Sequence, residues 1–162
     1  MFHRNELGQF YQDHYKKGLG VEVGVQDGYF SQEILKNWKG ELKCVDRWDQ
    51  EDQYNNAKMN LGEDRLVRGD SADSAKLFKN GSLDFVFIDA GHQYEEVKRD
   101  LEAWFPKVRK GGVFSGHDYV EYRDFGVIQA VDEFAKNKGY KVELTDQEMW
   151  EGYNFKSWYF IK

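Results

Sequence analysis

The chain has 162 residues, of which 40% are apolar, 32% charged and 17% aromatic, and its formal net charge is −6. That length and balance describe one globular domain, over residues 1–162, and exclude a disordered or membrane-spanning chain. The negative charge disfavours binding to phosphate backbones, and a single cysteine excludes a disulfide framework or a multi-cysteine metal site. The first residues carry no apolar leader, so a cytoplasmic location is expected, with no membrane partner.

Leu7, Phe10, Tyr11 and His14 recur at helical spacing and predict a short N-terminal helix over about 4–17. Residues 20–25 form a β-branched run, the first strand. Phe30, Ile34 and Trp38 then mark one face of a helix closed by Gly40. A second strand is expected over 42–46, a weakly patterned helix over 49–62, a third strand over 65–68 and a short helix over 71–79. Residues 83–89 make the most apolar strand. Val97, Leu101, Trp104 and Val108 follow at helical spacing, with Pro106 kinking or ending that helix. A fifth strand is expected over 112–115, then a helix through Phe125, Ile128, Val131 and Ala135 that Gly139 stops. Two strand-like runs, 140–144 and 158–161, end the chain. The alternation predicts a parallel sheet covered by helices on both faces. The final pair has no helical pattern between its members and is read as antiparallel.

In such sheets ligands gather at the carboxyl ends of the strands, and the candidate residues fall there. Gly24 and Gly28, after strand one, allow a tight turn and close approach of backbone to a ligand, or only a strand–helix turn. Gln26 stands where the dinucleotide-binding Gly-x-Gly-x-x-Gly pattern needs its middle glycine. Asp46 closes strand two about twenty residues on, where a carboxylate can accept ribose hydroxyls. Trp48 is placed either to lie against a base or to fill the core. Asp70 and Ser71 follow strand three and suit a helix cap, an adenine contact, or both. Asp89 closes the most buried strand, with His92 three residues beyond, and His117-Asp118 follow strand five. Asp89, His117 and Asp118 are therefore expected to converge, two carboxylates and an imidazole around a divalent ion. Trp150, Tyr153 and Phe155 crowd the last connection. With Tyr94, Tyr119 and Tyr122 they form either an apolar wall for a ring-shaped acceptor or packing for the sheet edge or a dimer contact.

Together these segments resemble the class I S-adenosylmethionine-dependent methyltransferases. Glu22-x-Gly24-x-x-x-Gly28 is similar to their first motif, Asp46 to the ribose-binding acid, and Asp70-Ser71 to the adenine-side loop. Residues 87–101 and 111–119 are similar to a narrower branch that includes macrocin-type sugar O-methyltransferases and cephalosporin-pathway methyltransferases. The resemblance implies a Rossmann-like α/β fold, a doubly wound seven-stranded sheet of order 3-2-1-4-5-7-6 with strand 7 antiparallel. It implies S-adenosylmethionine as cofactor, held by Glu22, Gly24, Gly28, Asp46, Asp70, Ser71 and Asp89, and methyl transfer to a small-molecule hydroxyl, of a sugar or an aromatic or polyketide-like compound. Asp89, His117 and Asp118 fall where metal-dependent relatives place Mg2+ ligands, although those relatives usually have a carboxylate in place of His117. His92, His117 and Asp89 are the candidate catalytic groups. The short stretch before strand one leaves the acceptor site open, or closed by a second copy of the chain. The alternative is a methyltransferase-fold protein that binds S-adenosylmethionine without turnover, or a partner subunit. A nicotinamide oxidoreductase and a nucleic-acid methyltransferase fit less well.

Overall fold

The structure is a computed structural model that describes residues 2–15 and 18–162. A 3₁₀ turn over Arg4–Glu6 runs into α1 (Leu7–His14). There follow β1 (Leu19–Val23), α2 (Tyr29–Asn37), β2 (Glu41–Asp46), α3 (Glu51–Leu61), β3 (Leu66–Arg68), α4 (Ser71–Ser74), β4 (Leu83–Ile88), α5 (Tyr94–Trp104), β5 (Val108–Tyr119) and α6 (Val127–Lys138). Four short strands end the chain: β6 (Glu143–Leu144), β7 (Met149–Trp150), β8 (Tyr153–Asn154) and β9 (Lys156–Ile161).

Seven strands form one sheet in the order β3-β2-β1-β4-β5-β9-β6. The first five run parallel, and β9 lies antiparallel between β5 and β6. This is the order implied by the resemblance, with β9 as the seventh strand. The hairpin β7–β8 stands apart as a two-stranded ribbon. Its two-residue turn, Glu151-Gly152, has φ of 47° and 82°, the doubly positive geometry that matches strand twist.

β4 shows why the sheet sits between two helical layers. Its residues are buried throughout, so alternate side chains feed opposite cores. Val86 and Ile88 join Trp104, Leu101 and Val131 under α5 and α6. Phe85 and Phe87 join Leu7, Tyr11, Ile34 and Trp38 under α1 and α2. Tyr11 stacks on Phe85 with centroids 3.7 Å apart, and its hydroxyl meets Ser115 Oγ at 2.9 Å. Burying each such ring contributes roughly 1.5–3 kcal/mol. Part of the aromatic complement is consumed here, since Trp38, Trp48, Trp104, Trp158, Phe85, Phe87 and Phe114 are all fully buried.

Several boundaries depart from the sequence reading. The N-terminal helix expected over 4–17 is 3₁₀ for its first turn and α-helical only to His14; Lys16 and Lys17 lie outside the described residues. The expected helix 71–79 is one α turn followed by a 3₁₀ turn, Ala75–Leu77. Pro106 does end α5, inside a 3₁₀ turn over Phe105–Lys107. The largest change is β5, which extends to Tyr119 because β9 supplies a partner along it. His117 and Asp118 therefore lie in the strand's last residues, at a register shift between Gly116 and Tyr119, and not in a following loop. Asp118 takes a φ of 56° there, a strained conformation for a residue other than glycine. Among the described residues no helix is long and apolar enough to cross a membrane.

Candidate functional site

The carboxyl ends of β1, β2, β3 and β4 frame a cleft of about 320 Å³, whose walls include Gly24, Gln26, Asp46, Asp70, Ser71, Asp89, Arg99 and Asp100. The strand ends are spliced by backbone bonds: Gly24 N–H to Val45 O at 2.8 Å and Asp89 N–H to Val23 O at 2.7 Å. Gly24 has a φ of 85°, and a Cβ there would overlap the Asp89 carbonyl. Any side chain at this position would fill the junction of β1 and β4, so glycine is needed on both counts.

Asp46 is turned back onto the glycine turn. Its Oδ2 accepts from the amides of Val25 (2.8 Å) and Gln26 (3.0 Å), and its Oδ1 from the amide of Trp48 (2.8 Å). The carboxylate thus moulds the loop and keeps about one of its four lone-pair sites for a ligand. Trp48 is buried and donates its indole N–H to Gln26 O at 2.7 Å. It belongs to the core and does not lie open as a platform for a base.

Glu22 and Gly28 act from outside the cleft lining. Glu22 is buried and accepts a hydrogen bond from Ser31 in α2. Burial pushes its carboxyl up to about 8, with the Ser31 bond working the other way. Gly28 caps α2 with a φ of 85° and leaves room for Leu61, whose Cδ1 would lie 2.7 Å from an added Cβ.

At the far end of the cleft Asp70 caps α4, accepting from Asp73 N–H at 3.2 Å, and pairs with Arg99 Nη2 at 2.9 Å. Burial favours its neutral form, but the Asp73 and Arg99 bonds outweigh that and hold it below the usual carboxylate range. Ser71 Oγ accepts from the Trp104 indole at 3.1 Å. Asp100 lies beneath, almost fully buried on the apolar face of α5, and its Oδ1 has no hydrogen-bond partner. Burial pushes it up to about 6 against a bond from Ser71.

Asp89, His92, His117 and Asp118 meet around a small recess that shares Asp89, Ala90 and Gly91 with the cleft. Asp118 accepts from both imidazoles: His117 Nδ1 at 3.0 Å on Oδ1, and His92 Nε2 at 2.6 Å on Oδ2. Burial would raise Asp118, yet the two histidine bonds hold it well below the carboxylate range. Burial would lower His117, but the bonds to Asp118 and to Glu148, 3.2 Å from Nε2, together with the charge of Asp89, carry it to about 9. The Asp118 bond also raises His92, which stays half-exposed. Asp89 is pushed up by burial, with Arg4 and His117 pulling against that. Arg4 Nη2 reaches Asp89 Oδ2 at 2.5 Å and its Nη1 lies 3.8 Å from Glu148 Oε1.

The expected aromatic wall forms in part. His92 stacks on Phe125 at 4.3 Å with an interplanar angle of 3°. Tyr122 meets Phe125, Tyr153 and Phe155 edge-on at 5.4, 4.8 and 5.3 Å, and Trp150 at 6.5 Å. Tyr94 and Tyr119 do not join it: their hydroxyls bond Glu133 (2.6 Å) and Asp132 (2.8 Å) on α6.

Sequence reasoning passed over Arg4, Glu148 and Asp100. The first two sit in polar stretches that look like ordinary surface. Asp100 did carry a signal, a carboxylate on the apolar stripe of Val97, Leu101 and Trp104.

The family described as Methyltransferase domain matches residues 21–119. Two curated relatives align, both bearing the name uncharacterized protein. The chain is 28% identical over 116 residues to R132 of Acanthamoeba polyphaga mimivirus, covering 64% of this chain and 52% of that one. It is 35% identical over 72 residues to y4gI of Sinorhizobium fredii (strain NBRC 101917 / NGR234), covering 44% of this chain and 8% of that one. The chain therefore spans about half the length of one relative and a small part of the other. Among solved structures, the O-methyltransferase from Bacillus cereus in complex with SAH has the same fold. Its TM-score is 0.74 at 20% identity, covering 98% of this chain and 80% of that chain.

Proposed function

The chain belongs to the Methyltransferase domain family, and from that premise we propose that it transfers the methyl group of S-adenosylmethionine to a hydroxyl oxygen of a small molecule. The observation that carries this reading is the cleft at the paired carboxyl ends of β1 and β4, the sheet's switch point. There Gly24 keeps its floor free of side chains against the Asp89 carbonyl. The residues fit an adenosyl cofactor along its length. Gly24 gives backbone access at the methionine end, Asp46 keeps a lone pair for the ribose, and Asp70 and Ser71 border the adenine end. The SAH in the Bacillus cereus structure of like fold supports the same cofactor class.

When bound, the cofactor supplies a sulfonium-activated methyl group, whose S–C bond breaks as the acceptor oxygen forms its bond to the methyl carbon. The chain has to align that oxygen and take its proton. His92 suits the second task. It is half-exposed beside Asp89, and Asp118 bonds Nε2 and fixes the ring, leaving Nδ1 to receive the proton. His117 suits it poorly, because both its nitrogens already face carboxylates. The edge-on cluster of Tyr122, Trp150 and Tyr153 beyond Phe125 gives an aromatic surface for a ring-bearing acceptor.

The test has two stages. S-adenosylhomocysteine should raise the melting temperature by mass action, and labelled S-adenosylmethionine should then methylate members of a panel of hydroxylated sugars and aromatics. No binding would sink the cofactor assignment. Binding without transfer to any of the panel would favour a non-catalytic binder.

A further inference from the structure

Metal-dependent methyl transfer would place a divalent ion among Asp89, His117 and Asp118, but the ligand atoms that come within 4.8 Å of one another are those of Asp89, His92 and Asp118, with His92 in place of the expected His117. Most of the donors, however, are already engaged, and the two left over, Asp89 Oδ1 and His92 Nδ1, are one oxygen and one nitrogen. A hard cation such as Mg2+ takes about six oxygen ligands, drawn from free carboxylate oxygens and water. Both oxygens of Asp118 face imidazole nitrogens, at 3.0 and 2.6 Å. Both nitrogens of His117 face carboxylates, so neither presents a lone pair outward. Asp89 gives Oδ2 to Arg4 at 2.5 Å. The residues present do not fit a bound Mg2+.

They fit a different cation. We propose that Arg4 is the resident cation of this site, its guanidinium standing on Asp89 where a divalent ion would otherwise sit. Two sets of contacts hold it there. The guanidinium lies over the Phe30 ring at 4.0 Å and within 5.5 Å of the Phe87 ring. It reaches Glu148 at 3.8 Å as well as Asp89. Its Nε is buried without a hydrogen-bond partner, a cost that the ring stacking and the terminal nitrogens' ion pairs have to offset. The N-terminal 3₁₀ turn thereby carries a fixed charge to the end of β4. One consequence rests on the methyl-transfer reading. A guanidinium can donate N–H bonds to one oxygen or two but does not depend on two acceptor oxygens to complete a coordination shell, so methyl transfer here does not require a vicinal diol.

Mn2+ binding to the full chain, followed by calorimetry and electron paramagnetic resonance, tests the inference. The wild-type chain should show no Mn2+ site that Asp89→Asn removes. Arg4→Gln frees Asp89 Oδ2 and removes the positive charge between Asp89 and Glu148, so Mn2+ should bind there about tenfold or more tighter than any residual wild-type association, with waters completing its shell, and adding Asp89→Asn should abolish that gain. Arg4→Lys, which keeps the charge, should gain none. A wild-type Mn2+ site lost in Asp89→Asn would overturn the proposal, and so would a folded Arg4→Gln chain that gains no site. If Arg4→Gln fails to fold, the wild-type and Asp89→Asn pair still decides. S-adenosylhomocysteine titrated into the same samples reports the cofactor reading separately, since its failure to bind would leave the Mn2+ result standing.

Discussion

Replacing Asp46 by asparagine keeps the side chain's shape and leaves it a single acceptor oxygen. In the wild type, Oδ2 serves the amides of Val25 and Gln26 and Oδ1 serves that of Trp48. A carboxamide can turn its oxygen to one side only, so its NH2 must face at least one backbone N–H. In the better orientation one charge-assisted bond is lost and in the worse one two, at about 1.5–3 kcal/mol each. The site is part-buried, so water recovers some of this, and a net loss of about 2 kcal/mol is expected. In a domain of this size that lowers the melting temperature by roughly 4–8 °C. The same loss should loosen the Val25-Gln26 turn and weaken S-adenosylhomocysteine binding measured by calorimetry. Thermal melts with and without that ligand separate the two effects. An Asp46→Asn chain that melts with the wild type and binds the ligand equally well would refute the assignment of Asp46 as the clamp of the glycine turn.

Glu22 is held neutral by burial, its carboxyl raised from 4.5 to about 8, so its contribution to stability is full below about pH 4.5 and is lost as pH rises towards 8. Glu22→Gln should flatten the fall in melting temperature between pH 5 and 9, with a gain at pH 9 of up to about 5 kcal/mol; an unchanged pH profile would contradict the buried neutral acid. His92→Gln should lower kcat by about 10²–10⁴-fold and leave S-adenosylhomocysteine affinity intact. Because Asp118 raises His92, wild-type activity should climb with pH through a value above 6.5, and Asp118→Asn should move that climb to lower pH; a profile indifferent to Asp118 would remove His92 as the base. Trp150 is 56% exposed, so Trp150→Ala should raise the acceptor KM with little change in melting temperature. A large drop in melting temperature would assign the ring to packing.

The strand–helix alternation was legible because apolar runs and helical spacings are local signals, whereas the sheet order came from the resemblance. Residues 83–89 read as a strand from composition alone, and β4 occupies nearly that span. What local pattern could not carry was pairing. β5 runs on to Tyr119 because β9, about forty residues later, supplies its hydrogen-bonding partner. Nothing within 112–119 announces that partner, so His117 and Asp118 read as loop residues. The same limit governs the site. Gly24 and Asp46 were legible because the chemistry of a strand-end turn favours those residue types. The three amides on Asp46 were not, because an acceptor's partners depend on how the loop closes.

The electrostatics of the site were the least legible part, for a reason Arg4 makes plain. Asp89, His117 and Asp118 form a plausible metal triad so long as their charges are counted alone, which is all that a motif allows. Folding adds Arg4, 85 residues from Asp89, and Glu148, 31 residues beyond His117. With Arg4 on Asp89, two imidazoles on Asp118 and Glu148 on His117, each buried charge has an opposite neighbour. A buried carboxylate demands a compensating cation but does not specify which. A metal ion and a guanidinium satisfy that demand equally in a sequence motif, and they differ only once the fold shows which one can reach. Here the reach comes from a 3₁₀ turn that lays the Arg4 side chain across Phe30 onto the end of β4. The identity of the cation is thus a property of tertiary packing, and it bears directly on which acceptors the site can hold.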